Sequence, residues 1–122
     1  FVLADSVSNV TIRGKGTLDG NGADWWHRAR HRPRLLVFKN ARDIHIEGVT
    51  LMNSAFWTLL LHGSHFTVAG IRIRAPASGG APNTDGIDVA ADQVHIHDVD
   101  ISNGDDSICI KSPSSNVLVE RS

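Results

Sequence analysis

The chain has 122 residues, 41% of them apolar and 20% charged, with a formal net charge of −1. That length holds one modest domain, and the near-neutral charge excludes a global field that would draw in nucleic acid or another polyanion. A single cysteine, Cys109, excludes an internal disulfide and a cysteine-built zinc site.

No apolar run reaches membrane-spanning length and no signal peptide is visible, so no membrane partner is expected. The first residues, "FVLADSVSNV", and the last, "NVLVERS", both read as strand. The expectation is one domain, residues 1–122, cut at both ends, which leaves a missing leader uninformative about location.

Along the chain one pattern recurs five times: a polar residue followed by apolar-x-apolar. It reads "NVTI" at 9–12, "DIHI" at 43–46, "HFTV" at 65–68, "QVHI" at 93–96 and "NVLV" at 116–119. The last apolar residues are spaced by 34, 22, 28 and 23, a base period of about 22 with two insertions. Between the first two units lies "ADWWHRARH" at 23–31, either a short helix or an irregular insertion. Its overlap with "HRARHRPR" at 27–34 brings four Arg and two His into eight residues. With no aromatic interleaving, this stretch reads as a solvated loop rather than a nucleic-acid patch, with attraction of an acidic polysaccharide as a lesser role.

A second strand follows in the later units, "VTL" at 49–51, "IRI" at 71–73 and "VDI" at 99–101. A third comes in "WTLLL" at 57–61, "IDV" at 87–89 and "ICI" at 108–110. Three short strands per repeat without helices predict an all-β solenoid, a parallel β-helix of about four to five coils. Inward Ile, Val and Leu would stack between coils, and His45, Arg72 and His95 would face outward. An antiparallel sandwich competes, but a sandwich has no reason to keep a three-strand order at one period.

Two turns of similar design precede third strands: "NTDGIDV" at 83–89 and "NGDDSICI" at 103–110. Aligning Ile87 with Ile108 and Val89 with Ile110 places Asp85 on Asp106 at the same offset of 21. On adjacent coils these would stand about 4.8 Å apart, with Asp105 beside them. Asn, Asp and Gly serve tight turns for backbone reasons alone, but registered stacking crowds three carboxylates into one patch. Their repulsion should raise at least one pKa. A protonated carboxyl beside ionised ones is the equipment of general acid and base catalysis, as glycosidic cleavage requires. The same trio could hold Ca²⁺. EF-hand spacing is absent, and the expectation is no metal.

Other residues read more plainly. His95 and His97 have a His-x-His spacing used in some metal sites. They share a strand face, with Asp88 the only obvious carboxylate near, and are expected to be solvent-facing. Trp25, Trp26 and Trp57 are expected to pack rather than line a groove. Lys111 sits at an outward position after the second acidic turn and is a candidate groove contact. Cys109, with no basic partner in the motif, reads as a small, partly buried residue.

"PNTDGID" at 82–88 and "NGDDSICIKS" at 103–112 resemble the polygalacturonase family, glycoside hydrolase family 28. "GTLDGNGADWW" at 16–26, "RPRLLVF" at 32–38 and "VTLMNSAFWTLLL" at 49–61 resemble further segments of that family in the same order. The resemblance implies a right-handed parallel β-helix that hydrolyses α-1,4-galacturonosyl linkages of pectin with inversion. Asp105 then corresponds to the general acid, and Asp85 and Asp106 to the pair that activates water. Asn83 and Thr84 correspond to the sugar-contacting motif, and Gly104 to a position that varies between Gly and Gln. No cofactor, a pectic polysaccharide partner, a secreted location and a monomer are implied.

The family's Gly-His-Gly and Arg-Ile-Lys motifs do not occur in these 122 residues, so the stretch alone is expected to be inactive. Alternatives are a related pectic specificity, rhamnogalacturonan or xylogalacturonan, and a non-catalytic polysaccharide-binding β-helix. One tension accompanies the resemblance: stacked coils predict a short carboxylate separation, which ordinarily marks retaining rather than inverting enzymes.

Overall fold

The computed structural model describes residues 1–28 and 31–122. Its regular structure is almost entirely strand, and every strand pairing is parallel. That excludes the antiparallel sandwich and gives the expected parallel β-helix.

Two sheets wind around one core. In the larger sheet β4 (Leu36–Glu47), β6 (Leu59–Ala69) and β8 (Ile87–His97) each run through a bend and present two arms. At one end β1 (Val2–Asp5) and β2 (Ser8–Arg13) supply the arms as separate strands. At the other end β10 (Ile108–Ile110) and β11 (Ser115–Glu120) do so. The smaller sheet stacks β3 (Thr17–Asp19), β5 (Thr50–Met52), β7 (Arg72–Arg74) and β9 (Asp100–Ser102).

The five repeats fall into register as the sequence pattern requires. Val10, Ile44, Phe66, Val94 and Val117 form one column, and Ile12, Ile46, Val68, Ile96 and Val119 the next. The polar residue opening each repeat makes the bend between arms. Asn9, Asp43, His65, Gln93 and Asn116 all have left-handed backbone, with φ between 52° and 59°. Asn, Asp and His tolerate that region better than other non-glycine residues, and they fill all but the Gln93 position. At the bend of β6, Gly63 has φ 141°, and a Cβ there would lie 1.9 Å from the Ala41 carbonyl oxygen. The close coil-to-coil approach demands glycine.

Inward side chains fill the space between the sheets. Leu36, Leu59 and Ile87 stack fully buried, as do Leu51 and Ile73 from the smaller sheet. Burying each such side chain contributes roughly 1.5–3 kcal/mol. Phe38 meets Phe66 edge to face, with ring centroids 6.3 Å apart. Outside, Arg72 is exposed and His45 and His95 are half-buried.

The described part of 23–31 takes the irregular of its two expected forms, with one 3-10 turn, Gly22–Asp24, at its start. One feature differs from the sequence expectation. The first coil has its own second-sheet strand, Thr17–Asp19. Its single apolar residue, Leu18, gives no apolar-x-apolar signature, but it stacks on Leu51.

Candidate active site

The two acidic turns meet because their strands are in register. Ile108 pairs with Ile87 and Ile110 with Val89. The Gly86 amide donates to the Asp106 carbonyl at 2.9 Å, and the Ile87 amide to the Ser107 carbonyl at 3.0 Å. Asp85 and Asp106 therefore occupy matched positions on adjacent coils. Asp85, Asp105 and Asp106 each offer a carboxylate oxygen, and these oxygens all lie within 4.8 Å of one another. Asp85 is buried, whereas Asp105 and Asp106 are exposed. A Cβ at Gly86 would stand 2.4 Å from the Ser107 carbonyl oxygen, so glycine is what lets the turns close to this distance.

A hydrogen-bonded frame holds the carboxylates. Asp105 accepts from the Asn83 amide through Oδ2 at 3.2 Å and from the Asp106 amide through Oδ1 at 2.9 Å. Asn103 Nδ2 donates to the Thr84 and Asp106 carbonyls, each at 2.9 Å, and so staples one turn to the other. Thr84 is fully buried. Its hydroxyl donates to the Ala81 carbonyl at 2.8 Å and accepts from the Gly104 amide at 3.0 Å. The expected sugar contact at Thr84 is thus corrected: with no exposed surface it supports the turn from beneath. Gly104 has a similar place, since a Cβ there would lie 2.4 Å from the Ala81 carbonyl oxygen. Asn83 is exposed, as a sugar contact requires.

Arg32 was not singled out by sequence reasoning. Its guanidinium donates to the Ala55 carbonyl at 3.1 Å, the Pro82 carbonyl at 2.6 Å and the Asn83 side-chain oxygen at 2.6 Å. It also lies 5.1 Å from the Phe56 ring centroid. Part of the basic stretch is therefore a bracket rather than a solvated loop. Arg28 lies over Trp25 at 5.1 Å. Arg30, in the same basic stretch, falls outside the described residues.

The carboxyl of Asp85 is raised above the ordinary value. Burial is the first cause, and the charges of Asp105 and Asp106 add to it. The expected rise is present, with desolvation rather than repulsion as its main source.

Three neighbouring residues correct the sequence reading. Lys111 does not stand free at the surface: its Nζ is 3.0 Å from Asp88 Oδ1, and Asp88 is fully buried. Burial pushes the Asp88 carboxyl up, and Lys111 offsets part of that push. Cys109 does have a basic partner, since Lys111 Nζ donates to its sulfur at 3.2 Å. Trp57 is a groove residue more than a core one, with Arg34 at 4.4 Å and Lys111 at 4.5 Å from its ring centroid.

Asp88 is not the carboxylate beside the His-x-His pair. His95 Nε2 lies 2.8 Å from Glu120 Oε1, and His97 Nδ1 lies 2.6 Å from Asp98 Oδ2. Both rings are half-buried on the outer face. Among the described residues, Asp85, Asp105 and Asp106 form the one group of three or more His, Cys, Asp or Glu close enough to share an ion.

This arrangement suits proton transfer to and from one small molecule held between three oxygens. The sequence pattern of glycosyl hydrolases family 28 matches residues 1–122. A protein named "Probable polygalacturonase" from Arabidopsis thaliana is 35% identical over 98% of this chain and 26% of its own length. A polygalacturonase from Cryptomeria japonica is 34% identical over 93% of this chain and 24% of its own. The chain thus spans about a quarter of the length of these relatives. The polygalacturonase structure from Erwinia carotovora ssp. carotovora superposes with a TM-score of 0.92. The two are 29% identical, over 99% of this chain and 38% of that one. The chain belongs to glycosyl hydrolase family 28.

Proposed function

We propose that the protein hydrolyses α-1,4-galacturonosyl linkages in pectic galacturonan. The observation that carries this is the meeting of Asp85, Asp105 and Asp106 within 4.8 Å on adjacent coils. Asp105, exposed beside the other two carboxylates, gives its proton to the leaving glycosidic oxygen. Asp85 and Asp106 hold a water molecule between them and take its proton as its oxygen attacks the anomeric carbon. The bond to the leaving sugar breaks as the bond to water forms, and the proton taken from water returns to Asp105 through solvent. The intact Asn83-Thr84-Asp85 turn favours galacturonan over rhamnogalacturonan and xylogalacturonan.

The family likeness supports inversion, whereas the short oxygen separation taken alone matches the spacing of retaining enzymes. The separation rule alone therefore does not assign the outcome on this fold. Proton NMR of the first anomer released decides between the outcomes. The test of the activity itself is a reducing-sugar assay on polygalacturonate with the full-length protein and its Asp105→Asn variant. Loss of roughly 10²–10⁴-fold is expected for removing a general acid, and an equally active variant would end the assignment. A secreted location fits this substrate, and fractionation of cells from medium tests it.

A further inference from the structure

Asn9-Val10-Thr11 is the one place in the chain where an asparagine stands two residues before Ser or Thr with a residue other than proline between. That spacing is the acceptor pattern for N-linked glycans. The pattern is short enough to arise by chance, so its surroundings decide whether it can serve.

The local geometry suits an acceptor. Asn9 makes the bend that leads into the second arm of the first coil, with φ 58°. Asn9 and Thr11 are exposed, whereas Val10 between them is half-buried and pairs with core residue Ile44. Strand alternation therefore turns the carboxamide and the hydroxyl outward and the apolar side chain inward. A bulky group on Asn9 stays outside and leaves the core column untouched.

The other asparagines are occupied. Asn21 donates to Asp24 at 2.7 Å, Asn40 to Asp5 at 3.2 Å, Asn53 to Asp19 at 3.3 Å and Asn116 to Asp92 at 2.8 Å. Asn103 bridges the acidic turns, and Asn83 accepts from Arg32. Modifying any of these would cost a hydrogen bond that holds a turn or joins two coils. Asn9 alone has a side chain that no hydrogen bond ties to another described residue. The only acceptor pattern thus falls on the only uncommitted carboxamide.

Asn9 is also far from the chemistry. Within a coil it follows the first arm, whereas Asp85 precedes it. Along the axis β2 lies three pairings from β8, about 14 Å at about 4.8 Å per coil. Beside Asn9 and Thr11 a shallow trough runs along Asp43, His45, Thr67 and His95. The first sugars of a glycan would rest on this polar flank, clear of the acidic turns.

We propose that Asn9 is an N-glycosylation site, carrying an oligosaccharide that begins with N-acetylglucosamine. Its donor is an oligosaccharide on a lipid diphosphate. The Asn9 side-chain nitrogen bonds to the anomeric carbon of the first sugar and loses one proton. The bond from that carbon to the diphosphate oxygen breaks, and the lipid diphosphate leaves with the electron pair. The proposal rests on the secreted location read above, because the donor is met on the way out of the cell.

The test secretes the full-length protein from a eukaryotic host behind that host's own leader. The tryptic peptide ending at Arg13 is then measured by mass spectrometry before and after peptide-N-glycosidase. It should carry a hexosamine-based glycan before treatment and the Asn9→Asp change that this amidase leaves afterwards. Asn9→Gln and Thr11→Ala should each lose the glycan completely, and Thr11→Ser should keep it. Gln93 makes the same bend in β8 with φ 55°, so Asn9→Gln keeps the fold and should release reducing sugar as the parent does. An unmodified Asn9 in the secreted protein, or a glycan on Asn9 that survives Thr11→Ala, would overturn the site. Loss of sugar release in Asn9→Gln would overturn the separation of glycan from chemistry. A glycan at Asn9 upholds the site even if the natural protein fractionates with cells, a result that would count against the secreted location alone.

Discussion

Arg32 donates to the side-chain oxygen of Asn83 at 2.6 Å, across 51 residues of sequence. The Asn83 amide in turn donates to Asp105 at 3.2 Å. The bracket thus runs from the first insertion to the proposed general acid through one asparagine. Replacing Arg32 by Ala should lower kcat by roughly 10–100-fold, because small misplacements at a reacting centre are costly. Arg32→Lys should not restore it, since lysine lacks the fork that reaches three acceptors at once. Steady-state kinetics, with circular dichroism to confirm the β-fold, checks this. Unchanged kcat in Arg32→Ala would show that Asn83 keeps its place unaided.

Asp85 should titrate above 3.8, and carboxyl-resolved NMR can show it directly. The stability consequence has a definite sign. Between 3.8 and the raised value, the folded state holds the proton more strongly than the unfolded chain, so stability falls as pH rises through that window. Above it the cost of ionising a buried group is fully present. Asp85→Asn should therefore be more stable than the parent at pH 7, with the advantage vanishing below pH 3.8. Denaturant melts at several pH values measure the difference. The same variant should lose hydrolysis, and in the parent the acid limb of the rate profile should lie above 3.8.

Gly104→Ala should destabilise the protein by about 1–3 kcal/mol, in line with overpacking of a closely fitted site. The new Cβ would stand 2.4 Å from the Ala81 carbonyl oxygen and 3.0 Å from the Pro76 carbonyl oxygen, neither of which can yield without moving backbone. Activity should fall with stability, because the Gly104 amide also holds Thr84. A variant as stable and active as the parent in denaturant melts and sugar release would show that the turns have room to separate.

Hydrolysis should be indifferent to EDTA and to added Ca²⁺ at constant ionic strength. The three oxygens are close enough to share an ion, but the proposed chemistry needs one of those carboxyls protonated, which a divalent cation would oppose. Loss of activity in chelator that Ca²⁺ restores would reassign the cluster as a metal site.

The fold was legible because a solenoid writes its geometry into one dimension. Strand alternation marks inside from outside, and a recurring period marks which residues stack, so Ile87 over Ile108 followed from counting. Even the bends had a signature, in the polar residues at 9, 43, 65, 93 and 116 that take left-handed backbone. The meeting of Asp85 with Asp106 was legible for the same reason: matched offsets become neighbours when coils repeat.

What counting could not supply was depth and side-chain reach. Asp85 and Thr84 belong to the same turn as Asn83, yet they are buried and Asn83 is not. Lys111 was readable as outward, but its attachment to Asp88 and its place over Trp57 depend on where a flexible amine finds its charge partner. Arg32 belongs to an insertion with no period, so nothing in its spacing pointed to Asn83. The sequence by itself determined the winding, the core columns and the stacking of the acidic turns, because these follow from backbone periodicity and the burial of alternating apolar residues. Only the tertiary structure decided which polar groups are desolvated and which cation each one meets, because burial and charge pairing depend on distances across coils that residue order does not encode.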